Sequence, residues 1–415
     1  MRCRLRMAAL AAALSLPLLA APAQAQELLI FHNWSSPTEM ASLKVLRDRF
    51  EAGGGVWKDL SIPHDSGTNV SLINMLTGGN PPDVFMESSP GIFRDLKSQG
   101  LAFPVGPLFD EIGATRNLPD SVLKSITVDG EIMKIPTAVH IDGMVFYNTH
   151  VAQAVGVDPK SWKSLDDFFA VADKIKAAGY IPLAIGGEKW QIGYLLHALM
   201  AAQTGGAIYE RIYGGTPDRS AIDSPEMRQT LALFRKFQQQ ADPGSPNRKW
   251  NDTTNLVITG KAFMQVHGDW MKGEFRSAGK QLGTDYDCLN IPGTKGVVVT
   301  VDAFGLLDTK DEAKTKAQKL FASIVVDPQV QAEFAAVKGS SPVRLDSPSD
   351  KLDACNAIVH DLLADPAIQH QSPHNTADPD WLSAIWDEAD KFWNDPNMTD
   401  ADFIAGLQNA YDTIF

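Results

Sequence analysis

Apolar and polar residues follow two different periods in the first part of the chain. Residues 27–32 form a short apolar run of strand length. After it, apolar side chains recur at steps of three and four positions, at Met40, Leu43, Leu46 and Phe50. The first pattern predicts a strand and the second an amphipathic helix. Ser36-Pro37-Thr38-Glu39 has the form of a helix start, with a capping serine, a proline in the first turn and a glutamate three residues after the serine.

The same alternation continues along the chain. Further strands are predicted at residues 83–86, 181–185 and 261–267, and a strand-like apolar run covers 297–307. Further helices are predicted at residues 69–76, 164–178 and 311–325. The first strand–helix–strand sequence is typical of a crossover connection, so its strands should pair in parallel. Alternating elements of this kind predict the α/β fold class, and no flexible linker separates two halves of the chain.

The N-terminal residues predict the compartment of the protein. Arg2, Arg4 and Arg6 precede an apolar run, residues 7–20, and the small-residue motif Ala-Gln-Ala ends at position 25. This pattern is typical of a secretory signal peptide over residues 1–25, and the apolar run is too short to span a bilayer. Removing 25 of the 415 residues leaves enough chain for two domains. We therefore expect a periplasmic protein.

The net charge limits the possible binding partners, and the cysteine content indicates whether a disulfide can form. The chain has 37 Lys and Arg against 50 Asp and Glu, a net charge of −13 at pH 7. That balance argues against nucleic acid and anionic membranes as partners. Cys3 leaves with the signal peptide, which keeps Cys288 and Cys355. In an oxidising compartment these two favour one disulfide, and the alternative is two separate buried thiols.

Signatures of catalysis are absent from the sequence. It contains no Gly-x-Ser-x-Gly elbow, no P-loop, no Gly-x-Gly-x-x-Gly after a strand and no His-Glu-x-x-His. The nine histidines are scattered without close metal-ligand spacing. We therefore expect no metal, no cofactor and no enzyme.

Aromatic and acidic residues near strand ends are more informative. A sugar presents an apolar C–H face to an aromatic ring and hydroxyl groups to charged acceptors. Trp34 follows the first strand, where ligands of α/β sheets bind, although core packing is the alternative for a single tryptophan. Glu39 fits a capping box with Ser36 better than direct ligand contact, and both roles can coexist only through different carboxylate oxygens.

Four further segments carry candidate ligand contacts. Asp269 and Trp270 follow a predicted strand, with a helix cap and a packed indole as the alternative. Asp302 stands alone in an apolar run, where a buried carboxylate needs a partner. Lys338 and His374 lie in loop-like segments, for which solvent exposure is the alternative.

Taken together, these segments resemble the family 1 extracellular solute-binding proteins, in particular their glucose- and mannose-type sugar-binding branch. The matching runs are FHNW with Glu39, GGNPPDV, DGEIMKIPTAVH, residues 179–183 with GGEKWQ, GKAFMQVHGDW, DYDCLNIPGT, TVD, KGSSPVR and PHN. Each motif is weak by itself. Their order and spacing over nearly the whole mature chain carry the resemblance.

The resemblance implies a two-lobed periplasmic binding protein fold, with sugar bound in the cleft between hinged lobes. It implies an N-terminal lobe of residues 27–138 and 298–340 and a C-terminal lobe of residues 139–297 and 341–415. It also implies a monomer that delivers a mono- or small oligosaccharide to the permease subunits of an ABC transporter. Two alternatives stay open: a binding protein for a polyamine or peptide, and a glycoside-processing enzyme that uses Asp269 and Asp302.

The resemblance also implies site residues and one disulfide. Where the branch has two adjacent tryptophans, this chain matches only Trp34 and has Asn33 in the first position. Ser88 replaces a lysine that is common in the branch. These two departures predict a ligand other than free glucose, such as a disaccharide or a substituted hexose. The paired cysteines of the branch are matched by Cys288 and Cys355. The implied ligand contacts are Asn33, Trp34, Glu39, Ser88, Asp269, Trp270, Asp302, Lys338 and His374.

Overall fold

The computed structural model describes residues 26–62 and 68–415, so the predicted signal peptide lies outside the described residues. The strands are β1 Gln26–His32, β2 Gly55–Ser61, β3 Val84–Met86, β4 Thr127–Val128, β5 Glu131–Ile132, β6 Ile135–Asp142, β7 Met144–Asn148, β8 Ile181–Leu183, β9 Ala262–His267, β10 Tyr286–Leu289, β11 Val297–Leu306 and β12 Gln369–Gln371. The α-helices are α1 Pro37–Ala52, α2 Thr68–Thr77, α3 Pro90–Ser98, α4 Gly106–Ile112, α5 Asp120–Ile126, α6 Thr149–Val155, α7 Leu165–Ala177, α8 Lys189–Thr204, α9 Gly206–Tyr213, α10 Pro225–Gln238, α11 Trp250–Ile258, α12 Met271–Ser277, α13 Glu312–Val325, α14 Pro328–Lys338, α15 Ala354–Leu363, α16 Pro373–Thr376, α17 Pro379–Asn394 and α18 Asp400–Ile414.

The first strand and helix follow the predicted pattern. Helix α1 begins after Ser36, whose side chain accepts from the Glu39 amide while Glu39 reaches back to the capping residue. Its buried residues include Leu43, Leu46 and Phe50, the positions with helical spacing. Strand β1 pairs in parallel with β3, as the crossover pattern predicted.

The first sheet has the order β12-β11-β3-β1-β2, and β6 also pairs with β11. Strands β1, β2 and β3 are parallel, whereas β11 runs antiparallel to β3 and β6. Leu28 and Ile30 belong to one hydrophobic cluster and Phe31 to another, because successive side chains of a strand point to opposite faces. Both faces of β1 are therefore covered.

The second sheet has the order β10-β7-β9-β8. Strand β7 is antiparallel to β9 and β10, and β8 is parallel to β9. Its apolar residues Val145, Tyr147 and Met264 pack in a cluster that also includes buried residues of α8, α10 and α17. The fold is thus α/β, as predicted.

Helices cover both sheets. Helices α1 and α13 pack on strands of the first sheet, and α7, α8 and α11 on strands of the second. Helix α8 also contacts β6 and β11 of the first sheet, so it packs on both sheets. Across residues 26–62 and 68–415, no helix combines the length and the apolar character that a membrane span requires.

The chain passes directly from the first sheet to the second at Gly143. This glycine has φ +85°, and a Cβ at this position would lie 2.5 Å from the Cβ of Ala198. The chain returns to the first sheet between β10 and β11. Strand β12, which lies in the range assigned to the C-terminal lobe, pairs with β11 of the first sheet. The predicted lobe boundaries at 138/139, 297/298 and 340/341 stay predictions.

A disulfide joins Cys288 of β10 to Cys355 of α15, with the two Cα atoms 6.1 Å apart. It is the pairing that the resemblance implied. The bond spans 67 residues of sequence and fixes α15 to the second sheet, next to the connection between β10 and β11.

Candidate ligand-binding site

A cavity of about 320 Å³ lies where elements of both sheets meet. The first sheet and its helices supply the loop after β1, two residues of β11 and the end of α14. The second sheet and its helices supply the starts of α8 and α11 and the turn after β9. The lining residues are Asn33, Trp34, Ser35, Ser36, Glu39, Glu188, Trp190, Tyr194, Lys249, Trp250, Asn251, Trp270, Thr300, Asp302 and Lys338.

The structure brings six of the nine predicted ligand contacts to this cavity. They are Asn33, Trp34, Glu39, Trp270, Asp302 and Lys338. The other three, Ser88, Asp269 and His374, are not among its lining residues. Their roles as ligand contacts remain predictions.

Trp34 lines the cavity and also packs into the core. Its side chain is 5% exposed, with its ring 5.8 Å from that of Phe334 and 6.4 Å from that of Phe304. The Lys338 ammonium lies 4.5 Å from the centre of the indole. Because an ammonium is attracted to the face of an aromatic ring, Lys338 helps to hold this platform in place.

Glu39 divides its two carboxylate oxygens between two partners. Its Oε2 accepts from the amides of Ser35 and Ser36, each at 2.9 Å, and completes the helix cap. Its Oε1 lies 3.5 Å from Nζ of Lys338. The capping role is thus confirmed, and the second oxygen is directed to a cavity residue. Lys338 ends α14 and is 3% exposed, so the alternative of a solvent-exposed loop lysine is wrong.

Asp302 is tied to a buried histidine behind the cavity. Its Oδ2 lies 3.2 Å from Nε2 of His140, and the other ring nitrogen lies 2.6 Å from Oδ1 of Asp269. Asp269 and His140 are almost fully buried, whereas the Asp302 side chain is 22% exposed. The partner that a lone carboxylate in an apolar strand requires is therefore His140. Asp269 does not cap α12, whose cap residue is Trp270.

Burial by itself lowers the pKa of His140, but the charges of Asp269 and Asp302 outweigh it and raise that pKa to about 9. Burial raises the pKa of Asp269, and the charge and hydrogen bond of His140 oppose that rise. Two acceptors on opposite ring nitrogens require two N–H donors, which only the imidazolium has. His140 is therefore a buried cation near neutral pH.

A parallel arrangement supports Thr300, the lining residue two positions before Asp302. The Thr300 hydroxyl donates to Oδ2 of Asp142 at 2.9 Å, and Nε2 of His197 lies 3.0 Å from the same oxygen. Both Asp142 and His197 are buried. Each polar group that β11 presents to the cavity is thus held by a buried Asp and His pair.

Three indoles form the wall on the side of the second sheet. Trp190, Trp250 and Trp270 all surround the ring of His267, at centroid distances of 5.4, 6.0 and 5.0 Å. Nδ1 of His267 accepts from the Gly268 amide at 2.8 Å. Burial lowers the pKa of this histidine to about 3, so it is neutral and serves as an uncharged support.

Gly268 makes the position of Trp270 possible. A Cβ at Gly268 would lie 1.9 Å from an atom of the Trp270 ring. The Trp270 ring also meets His140 edge to face at 5.0 Å. The turn after β9 thus aims one indole at the cavity and one carboxylate, that of Asp269, at His140.

Ser88 and His374 lie next to cavity elements. The Ser88 hydroxyl donates to the carbonyl of Val301 at 3.2 Å, and its own carbonyl accepts from the ammonium of Lys134. Burial lowers the pKa of Lys134 to about 7. His374 belongs to α16, and its ring lies 5.6 Å from that of Tyr194, a lining residue.

A model of the bacterial extracellular solute-binding protein family matches residues 34–331. The chain belongs to this family. The resemblance inferred from the motifs is confirmed at the level of the family.

Relatives of this solute-binding protein include five that are 30–33% identical to it. A probable sugar-binding periplasmic protein of Mesorhizobium japonicum is 33% identical over 80% of this chain and 79% of its own length. An ABC transporter extracellular-binding protein of Pyrococcus horikoshii is 30% identical over 80% of this chain and 74% of its own length.

Solved structures share the two-lobed fold of the family. A chitin oligosaccharide binding protein has a TM-score of 0.81 at 19% identity, covering 94% of this chain and 98% of that one. The bacterial solute receptor AcbH, whose preference is for β-D-galactopyranose, has a TM-score of 0.80 at 18% identity, covering 94% and 99%. The predicted two-lobed α/β fold is confirmed.

Several lining residues of this solute-binding protein were not predicted as contacts. Glu188 and Trp190 lie in the run GGEKWQ, which contributed to the resemblance but not to the site. The Glu188 carboxylate accepts from the amide of Trp250 at 2.8 Å, so it joins the starts of α8 and α11. The others are Ser35, Ser36, Tyr194, Lys249, Trp250, Asn251 and Thr300. Within the described ranges, no group of three or more His, Cys, Asp or Glu side chains is placed to hold a metal ion.

Proposed function

We propose that this protein is the periplasmic sugar-binding component of an ABC importer. It binds a mono- or small oligosaccharide in the cavity and delivers it to the permease when the lobes close. The observation that carries the proposal is the composition of the cavity wall, in which four indoles lie together with three carboxylates and two ammonium groups, one pair of which, Glu39 and Lys338, is in contact. The similarity to a probable sugar-binding periplasmic protein and to an ABC transporter extracellular-binding protein supports the same class of function.

Each type of lining residue has a partner on a sugar. Indole faces take the apolar C–H faces of pyranose rings, and charged groups form the strongest hydrogen bonds with hydroxyls. Asp302 and Glu188 offer acceptors, and Lys249 and Lys338 offer donors. A volume of about 320 Å³ lies at the lower end of ligand pockets, which span roughly 300–1,000 Å³, and suits a small ligand.

The charges of the cavity favour a sugar over a polyamine. A polycation requires carboxylates without cationic neighbours, but Glu39 faces Lys338 and Asp302 faces the His140 cation. Lys249 adds a further positive charge to the wall. A neutral ligand with many hydroxyl groups meets no such repulsion.

The contacts of the acidic side chains in and behind the cavity favour ligand binding over catalysis. Glycoside hydrolysis requires one carboxyl group that donates a proton and a second that attacks or activates water. Asp269, one of the two acids considered for that role, is fully buried behind His140. Glu39 and Glu188 each accept a hydrogen bond from a backbone amide, so one oxygen of each carboxylate is engaged in holding the cavity wall together. The proposal therefore includes no catalytic step and no cofactor.

The compartment and partners complete the proposal. The relatives from Mesorhizobium and Brucella are described as periplasmic, and the Cys288–Cys355 disulfide suits an oxidising compartment. We expect residues 1–25 to be removed on export and the mature protein to act as a monomer on its permease.

A thermal-shift screen tests the function. The panel contains D-glucose, D-mannose, D-galactose, D-xylose, N,N′-diacetylchitobiose and raffinose, with spermidine and a tripeptide as competitors. A ligand at 100 times its Kd stabilises the folded state by about 2.7 kcal/mol, so a bound sugar raises the melting temperature. The Asp302→Asn variant should lose that rise.

Other results of the screen would redirect the proposal. A rise only with spermidine or the tripeptide would contradict sugar binding. Release of a smaller sugar from diacetylchitobiose or raffinose during long incubation would favour the enzyme. The largest rise with D-glucose would show that the expectation of a different ligand, based on Asn33 and Ser88, is wrong.

A further inference from the structure

His140 makes a contact between the two sheets directly behind the cavity. It lies on β6, the strand that leads through Gly143 into the second sheet. Its Nε2 faces Asp302 on β11 of the first sheet, and its Nδ1 faces Asp269 in the turn after β9 of the second. The imidazole is 1% exposed and is not among the lining residues.

We infer that His140 is a positioning residue for ligand recognition, which holds the Asp302 carboxylate ionised and oriented as the acceptor of a ligand hydroxyl. The inference rests on the proposed function, because Asp302 acts here on a sugar. It extends that function by assigning ligand affinity to a residue that does not touch the ligand.

The two hydrogen bonds of the His140 ring explain how this side chain can keep the Asp302 carboxylate ionised and oriented. Asp302 lies in an apolar strand and needs a donor and a positive charge to remain ionised when half-buried. His140 supplies both at 3.2 Å. Asp269, at 2.6 Å from the opposite ring nitrogen, keeps the ring charged and fixes its rotation.

The charged groups around this trio do not replace His140. Lys272 of α12 and Asp142 of β6 act on Asp269 with opposite signs. The Lys272 ammonium is already engaged, since it pairs with Asp353 at 3.0 Å and donates to Oδ1 of Asn356 at 2.8 Å. Tyr194 of α8 has a pKa well above its usual value, because it is buried and lies near Asp142 and Asp302.

A pH dependence of affinity follows from the geometry. The pKa of His140 is raised to about 9, so its charge is complete below about pH 8 and is lost as the pH rises through 9. A neutral imidazole has one N–H and faces two carboxylates, so one of them meets a lone pair instead of a donor. Ligand affinity should therefore be flat from pH 6 to 8 and should fall above pH 9.

Calorimetric titration with D-galactose, D-mannose and raffinose from pH 6 to 10 tests this inference. For each sugar that binds the wild type, His140→Gln should raise Kd at pH 7 at least tenfold and should abolish the fall above pH 9. Asp269→Asn, which keeps the shape of the side chain, should move the midpoint of that fall to lower pH by about one unit or more. His360→Gln changes an exposed histidine on α15 and should leave both quantities unchanged.

A second readout needs no sugar. In wild-type protein labelled with ¹³C and ¹⁵N, the His140 ring signals, assigned by correlation with the backbone signals of the same residue, should show both ring nitrogens protonated at pH 7. A single protonated nitrogen would overturn the inference even if His140→Gln folded poorly.

The outcomes separate the inference from the proposed function. Wild-type binding with an unchanged Kd in His140→Gln, or with the same pH profile in Asp269→Asn, would overturn the inference alone. Failure of the wild type to bind any of the panel sugars would overturn the proposed function, and the inference with it.

Discussion

Trp34 serves the core and the cavity with a single side chain. Its contacts with Phe304 and Phe334 belong to the first-sheet core, and its place among the lining residues makes it a platform for a sugar ring. The two roles make different demands on a substitution. Stability depends on the volume that is filled, and affinity depends on the aromatic face.

Trp34→Ala should raise Kd for the panel sugar that binds most tightly at least tenfold. Stacking contributes roughly 0.5–1.5 kcal/mol beyond the buried area, and the lost area adds to it. The matched control is Trp57→Ala, which removes a buried indole that packs on Phe50 and Phe321 and does not line the cavity. Both variants should lose about 3–5 kcal/mol of stability, but only Trp34→Ala should lose affinity. An unchanged Kd in Trp34→Ala would remove Trp34 from the site.

His267 makes the fold sensitive to acid. Its pKa is lowered by burial from 6.5 to about 3, so below pH 6.5 the unfolded chain binds a proton that the folded chain does not. Stability is therefore lost as the pH falls from about 6.5 to 3, by an amount on the order of 3 kcal/mol near pH 4.

The variant His267→Asn should lose less folding stability than the wild type as the pH falls. Asparagine keeps an acceptor for the Gly268 amide but has no side chain to protonate. Urea unfolding at pH 4, 5 and 7 measures the slope, with the exposed His360→Asn as control. A slope in His267→Asn equal to that of the wild type would contradict the assignment.

Single residues could be predicted where the evidence is local. The capping box of Ser36 and Glu39 lies within four consecutive residues of the sequence, and it is present in the structure. The partner of Asp302 could not be predicted in this way, because His140 is 162 residues away and is brought opposite it by the pairing of β6 with β11. Residue types alone do not reveal such pairings.

At the scale of elements, the disulfide joins a strand and a helix that lie far apart in the sequence. It fixes the short helix α15 to β10 across 67 residues of chain. On an entropic estimate, closing a loop of this length stabilises the fold by about 4 kcal/mol.

Reduction should lower the melting temperature of the wild type, and it should leave that of Cys288→Ala/Cys355→Ala unchanged. Differential scanning calorimetry with and without reductant measures both. Two thiols that react with an alkylating agent in denatured, unreduced protein would contradict the disulfide.

Elements with a clear period could be predicted and others could not. Helices α1, α7 and α13 carry apolar residues at helical spacing, and the predicted bounds agree with the structure to within a few residues. Strand β2 was not predicted, because this edge strand buries only Gly55 and Trp57 and its buried and exposed residues do not alternate along its whole length. Strand β6 was not predicted either, because its buried residues include His140 and Asp142.

At the scale of the whole molecule, the cavity depends on elements of both sheets. Trp34, Glu39 and Lys338 come from elements of the first sheet, and Trp190, Trp250 and Trp270 from elements of the second. The two-lobed fold could be predicted from the order of many short motifs. Its exact boundaries could not, because the chain crosses between the sheets more than once.

Closure of the lobes should follow from this division. A sugar that contacts both walls favours the closed form over the open one, so it shifts the population toward a more compact shape. Small-angle scattering should show a smaller radius of gyration with a saturating panel sugar than without it. Trp270→Ala at the same sugar concentration should show a smaller change. An unchanged radius in the wild type would argue against closure.

A crystal structure of the protein with the panel sugar that binds most tightly tests the central claim most directly. We expect density for one sugar molecule in the cavity, with a pyranose face against the Trp34 or Trp270 indole and a hydroxyl within hydrogen-bond distance of Asp302. Density for the sugar only at another surface, such as the groove lined by Leu165, Leu233 and Ile291, would contradict it.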